Sequence, residues 1–322
     1  MKKALTLLLA GICLSLGSFA AAQEAFPSRP VKMIVPYPAS GGGDILSRAM
    51  AQAFQKATGQ AMIVENRPGA NGMVGAAACK SAPADGYTYC IPVSDVMAIN
   101  PHVYKSVPYD VQRDFVVVVP VATVVLAFIA NSAVPANSLK ELAAWSQSNK
   151  DKANFATWGI GSAAHLALTQ FNKSLNGSLT NVPYPGVPGM LQAVLTGDAS
   201  ATLLFYGPIA AHIASGKLRP LAVLASERYS ALPSVPTVAE AGFNFTPTVY
   251  YGVYAPTGTA APIVARMSQL LTAAAADPEV LKTMNAQGFA PLVESPQAFA
   301  QRVARDRATW APIAKSLNLA LD

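Results

Sequence analysis

Val31-Lys32-Met33-Ile34-Val35-Pro36-Tyr37-Pro38-Ala39-Ser40-Gly41-Gly42-Gly43-Asp44 is the stretch on which the fold turns. Its first five residues are an apolar run of strand length, stopped by Pro36 and Pro38, which cannot donate to a ladder. Three glycines follow. From Asp44 onward Ile45, Leu46, Ala49, Met50, Ala53 and Phe54 recur at helical spacing until Gly59 supplies a left-handed stop. Strand, glycine loop and helix in that order make one βα unit.

The alternation continues in both halves of the chain. Ala61 to Val64 predicts a strand, Pro68 to Gly72 a turn, the residues through Ala78 a helix, and Tyr87 to Val93 another strand. Phe115 to Val125 is β-branched apart from Pro120, which predicts a strand that changes lobe with Pro120 at its bend or edge. Helices then follow at Leu139 to Ser148, Ala163 to Leu175, Met190 to Leu195 and Ile209 to Ser215. They are interleaved with strands at Ala153 to Thr157, Ala201 to Phe205 and Leu218 to Leu224, and the return crossing falls near Val249 to Tyr254. Strands alternating with helices imply an α/β class with parallel pairing.

The N-terminus reads as a secretory signal peptide over residues 1–22. Lys2 and Lys3 precede an apolar run from Ala4 to Phe19, and Ala20-Ala21-Ala22-Gln23 closes it. Export to the periplasm follows. Ile12 separates Leu9-Ala10-Gly11 from Cys13, so lipid anchoring is not expected. The remaining residues exceed the size at which one core stops growing, so two lobes are expected: 23–122 plus 250–322, and 123–249.

Charged residues are only 12% of the chain, and the net charge of +6 becomes +4 without Lys2 and Lys3. With no basic cluster, nucleic acid is not a partner. Cys79 and Cys90 remain after processing; the oxidising compartment permits a disulfide, and burial as two free thiols fits the spacing equally well. No Gly-x-Ser-x-Gly elbow occurs, the histidines number three, and no His and carboxylate set has metal spacing. Gly41 to Gly43 lacks the Lys-Ser/Thr ending of a phosphate loop. Neither catalysis, metal nor cofactor is expected.

In open α/β sheets ligands settle beyond the carboxyl ends of strands, where helix N-termini present free N–H groups. Four segments have that layout: Pro38 to Asp44, Trp158 to Ser162, Tyr184 to Gly189 and Phe205 to Pro208. Charged neighbours have structural roles instead. Glu65-Asn66-Arg67 braces the Pro68-Gly69 turn, Asp44 caps its helix, and His165 anchors the loop before it. Trp158 either packs in its own lobe or faces the cleft; Tyr250 and Tyr251, near the return crossover, either place at least one ring in the cleft or pack at the hinge.

Pro30 to Ala39 with Gly42 to Asp44, Val64 to Gly72 with Gly75-Ala76, and Asp85 to Thr88 resemble the Bug receptors, the substrate-binding proteins of tripartite tricarboxylate transporters. So do Ile99-Asn100-Pro101, Pro108-Tyr109-Asp110, Gly159 to Ser162 with His165-Leu166-Ala167, Gly216 to Val223, Leu232 to Thr237 and Ala255 to Thr259. The resemblance implies a bilobal periplasmic-binding-protein (Venus flytrap) fold, with two mixed-sheet lobes and a hinge. It also implies a monomer that captures a small carboxylate, di- or tricarboxylic or aromatic, and hands it to membrane transporter subunits. By that carry-over the carboxylate is held between Ala39, Ser40, Gly41, Gly42 and Gly43 of one lobe and Gly159, Ile160, Gly161 and Ser162 of the other. Ser94, Tyr184 and Gly186 complete the walls. Trp158, Phe205 and Tyr206 are aromatic departures that suit a flat or long ligand body. A ligand sensor signalling to a membrane kinase would use the same closure; a secreted hydrolase lacks a nucleophile and base.

Overall fold

The computed structural model describes residues 26–243, 245, 248–316 and 321. The expected signal peptide lies outside them. No described helix is long and apolar enough to cross a membrane.

The opening unit forms as its pattern dictates. Strand β1 (Val31–Val35) leads through the glycine loop into α1 (Gly42–Thr58), whose Leu46, Met50, Ala53 and Phe54 face the core, and Gly59 closes it at φ 72°. Strand β2 (Met62–Asn66), helix α2 (Met73–Lys80) and strand β3 (Thr88–Cys90) follow. The chain then makes a π-helical turn (Asp95–Ile99) and a short α3 (Asn100–Val103) before β4 (Phe115–Val124).

Strand β5 (Leu126–Asn131), separated from β4 by Val125 alone, belongs to a second sheet. It continues through α4 (Leu139–Ser148), β6 (Asn154–Thr157), α5 (Ala163–Leu175), β7 (Thr180–Pro183), α6 (Val187–Thr196), β8 (Ala201–Phe205), α7 (Tyr206–Ala214) and β9 (Leu218–Leu224). The chain returns as β10 (Val249–Pro256), α8 (Ala261–Ala275), α9 (Pro278–Gln287), β11 (Phe289–Pro291) and α10 (Pro296–Ser316). The sheets run β11-β4-β10-β3-β1-β2 and β7-β6-β8-β5-β9, so the protein is α/β and two-lobed.

Both sheets are mixed. β1 pairs in parallel with β2 and β3, as β6 does with β7 and β8, which the strand-helix alternation implies. The crossing strands are antiparallel: β4 with β10, and β5 with both β8 and β9. A strand that carries the chain out and one that brings it back must run in opposite senses, a relation invisible to local pattern.

The chain passes between the sheets at Val125, and Pro120 takes the bend or edge position expected of it. Pro120 stands opposite Gly252 beside a register shift, and β11 reaches only Ala122–Val124, so its missing N–H is absorbed by a bulge. The helix expected at Ile209 starts at Tyr206, directly after β8. A disulfide joins Cys79 at the end of α2 to Cys90 in β3, with Cα atoms 5.9 Å apart.

Candidate ligand cleft between the lobes

The two lobes meet at a chamber of about 60 Å³, lined by Tyr37, Gly41 to Gly43 and Tyr251 from one side and by Trp158, Gly186, Val187 and Phe205 from the other. Past Tyr37, Pro38, Trp158 and Gly186 it opens into a mouth of about 510 Å³, walled by Asn71, Tyr104, Gly159, Ile160 and Tyr184 among others. Neither lining contains Lys, Arg, His, Asp or Glu. The inner chamber holds only a few water-sized volumes. A ligand larger than that extends into the mouth.

The loop after β1 is shaped by its own side chains. Asp44, in the first turn of α1, accepts the Ser40 backbone N–H at 2.9 Å and the Arg48 Nε–H at 3.0 Å. That fold-back holds Ser40 at φ 64° and turns Ala39 and Ser40 to the outer face beside Arg48 and Gln52. Of the expected ligand contacts, Ala39 and Ser40 thus lie on the outer face and not on the chamber wall, with the Ser40 amide used by Asp44. Gly41, Gly42 and Gly43 remain on the chamber wall. A Cβ on Gly42 would stand 2.8 Å from Phe289 Cζ and 2.9 Å from the Tyr251 hydroxyl. Only glycine fits against those two rings. Burial, then the Asp95 charge, push the Tyr251 phenol up.

The Trp158–Ser162 loop is occupied differently from the expectation. Asp95, fully buried in the π-helical turn of the first lobe, reaches across to the second lobe. Its Oδ2 accepts Trp158 Nε1–H and the Ala163 N–H, each at 2.9 Å. Ala163 opens α5, so a carboxylate of the protein itself sits at the helix N-terminus expected to hold the ligand's. Other amides of that loop are also taken: Ser162 Oγ accepts the His165 N–H, and His165 Nδ1 accepts the Gly161 N–H at 3.0 Å. Burial holds the His165 imidazole below its ordinary pKa, consistent with a neutral ring that accepts. Gly161, at φ 79°, packs against Val103 and Tyr104 of the facing lobe. Gly161 and Ser162, expected to hold the carboxylate, here make a lobe contact and a helix cap.

Three further expectations are placed by the structure. Ser94 is buried behind the wall that Val93 provides. Tyr206 lies outside the chamber and packs edge-on against Tyr229. Phe205 lines the chamber and leans on Phe289, ring centroids 5.1 Å apart. Of the tyrosine pair, Tyr251 faces the chamber, and Tyr250 packs on Phe299. Asn66 donates to the Tyr37 carbonyl and Glu65 pairs with Lys32 and Arg67, so the group braces β1 and the loop after it and not the Pro68-Gly69 turn expected from their order.

Sequence reasoning missed Tyr37, Asn71 and Asp95. The available signal was Asp95 itself, a lone acid in the apolar run Ile91 to Ile99, because a charge there must be paired or functional.

Comparison with known proteins follows this geometry closely. Residues 46–319 match the model of the tripartite tricarboxylate transporter family receptor. The chain is 32% identical over 300 residues to protein BugT of Bordetella pertussis, covering 92% of each. It is similar in structure to the periplasmic binding protein BugD, with a TM-score of 0.87 and 30% identity over 92% of this chain and 100% of that one. An R. palustris protein, Rpa4515, solved with adipate, superposes with a TM-score of 0.87 at 28% identity, over the same shares.

Proposed function

This chain belongs to the tripartite tricarboxylate transporter receptor family, and from that premise we propose that it is a periplasmic solute-binding protein, not an enzyme. It closes two lobes around a small carboxylate and delivers it to the membrane subunits of a tripartite transporter. The lobes are taken as 23–122 plus 250–322, and 123–249, with the first crossing moved to Val125 and the return to Val249 by the ends of β4 and the start of β10.

One observation carries the reading. The N-termini of α1 and α6, one from each lobe, converge on the same chamber through Gly41 to Gly43 and Gly186–Val187. The first-turn N–H groups of a helix have no intrahelical partner and carry its positive end, so a carboxylate between them completes both. No cationic side chain lines the chamber to do that work. The apolar walls exclude water and strengthen each such bond. The rings of Tyr37, Trp158, Phe205 and Tyr251 form the surface for the ligand body, with Gly159, Ile160 and Tyr184 at the mouth. The adipate complex of Rpa4515 supports a carboxylate of this size.

A thermal-shift screen of carboxylates against their methyl esters tests it. Ligands that bind only the folded state raise its midpoint, so acids should do so and esters should not. A screen in which no acid moves the midpoint would remove the proposal.

A further inference from the structure

Two buried acceptors at the junction of the lobes have no donor, one on Asn71 in the wall of the mouth and one on Asp95, which bridges the lobes behind Trp158, and the hydrogen-bond network shows which atoms they are. Asn100 Nδ2 donates to the Asn71 backbone carbonyl at 3.0 Å, which can only accept, so Asn100 presents Oδ1 to Asn71. Asn71 must then give Nδ2–H to it, at 2.8 Å, and Asn71 Oδ1 is left without a partner although the residue is buried. At Asp95, Oδ2 takes an indole N–H and a backbone N–H, both unambiguous donors, and the fully buried Oδ1 has none. One short segment overlies both. Trp158 donates to Asp95, and a Cβ placed on the next residue, Gly159, would lie 3.5 Å from Asn71 Oδ1. The Tyr37 hydroxyl, also without a partner, borders the same end of the chamber.

Buried acceptors left empty cost free energy, and a buried carboxylate costs more than an amide. No Lys, Arg or His lines the cleft to satisfy them. We infer that Asn71 Oδ1 and Asp95 Oδ1 form a subsite for an N–H donor on the ligand, so that the ligand is an amino-bearing carboxylate and not a plain diacid. This rests on the carboxylate reading above and divides the cleft into two ends. The helix N-termini at Gly41 to Gly43 and Gly186 take the ligand's carboxylate. Asn71 and Asp95 take its ammonium or amide, and Asp95, held on Trp158 and Ala163, repels a second carboxylate there.

Calorimetry with matched ligands tests the division. Succinate, glutarate and adipate are each paired with the ω-amino acid of the same chain length, and terephthalate with para-aminobenzoate. The protein should favour the amino member of the pairs it binds by about tenfold or more, roughly one charge-assisted hydrogen bond. Asp95→Asn keeps an oxygen for Trp158 and Ala163 but replaces the empty Oδ1 acceptor with an N–H donor, and should cut that ratio at least tenfold. Asn71→Gly, which accepts the left-handed φ of 47° at that position, removes the other acceptor and should lower the ratio in the same direction. A parent preference for the diacids, or a ratio unchanged in both variants, overturns the inference and leaves carboxylate capture standing. If no acid of any pair binds, it is the carboxylate reading that fails and the subsite falls with it.

Discussion

Asp95 Oδ2 and Trp158 Nε1 are hydrogen-bonded at 2.9 Å across the cleft, joining residues 63 positions apart in the chain and on opposite lobes. Closure of a two-lobed binder depends on contacts that exist only when the lobes meet, and this is one of them. Trp158→Phe keeps the ring and deletes the donor. A hydrogen bond to a charged group contributes about 1.5–3 kcal/mol, so ligand affinity should fall by about tenfold or more by calorimetry. Small-angle scattering should show a more open average shape. Unchanged affinity and radius would mean the contact does not govern closure.

Gly42 is predicted to be intolerant of any side chain. Its absent Cβ is crowded by Phe289, Tyr251 and Phe205, all of which line or border the chamber. Gly42→Val should lower the thermal midpoint and lose more than about tenfold in carboxylate affinity, since the new atoms displace Phe289 and Tyr251 at the chamber wall. Binding as tight as the parent's would put the carboxylate elsewhere.

Gly161 tests the lobe contact from the other side. At φ 79° it is in a region costly for a β-branched residue, and a Cβ would lie 2.7 Å from Val103 Cγ2 of the facing lobe. Gly161→Val should therefore destabilise by about 1–3 kcal/mol and shift scattering toward an open form that ligand no longer compacts. Retained compaction on ligand addition would contradict this.

The Cys79–Cys90 disulfide closes a loop with a sequence separation of 11 and ties α2 to β3. Loop closure of that length is worth about 3 kcal/mol through the unfolded state. Replacing both cysteines with alanine should lower the denaturant midpoint accordingly, and reductant should lower the parent's midpoint without moving the variant's. Equal midpoints in parent and variant would refute it.

Burial raises the Asp95 pKa, against the lowering effect of the Ala163 and Trp158 donors. The folded value therefore lies above the unfolded one, so ionising Asp95 costs the folded state. Its contribution is fully present below the ordinary carboxylate range and is lost as pH rises through the folded pKa. Asp95→Asn removes that loss. Without ligand, the variant should melt higher than the parent at pH 7, with the gap narrowing as pH falls towards about 4. A gap independent of pH would show that Asp95 carries no such penalty.

The sequence alone determined the local elements, because each rests on a pattern read within one segment. The run Val31–Val35 and its proline stop, the 3.6-residue spacing of Leu46, Met50 and Phe54, and the span of α5 from Ala163 to Leu175 are set by which side chains must leave water together. Glycine loops ahead of helices were legible for the same reason, and Gly41 to Gly43, Gly186, Trp158 and Phe205 do border the chamber. Only the tertiary structure decided which ends of those loops face inward. Asp44 folds back on the Ser40 amide and turns that residue out; Asp95 fills the N-terminus of α5, which the sequence left open for a ligand. The bond from Ala163 to Asp95, 68 positions apart, leaves no periodic trace, since it is selected by how two independently formed sheets meet across β4, β5 and β10.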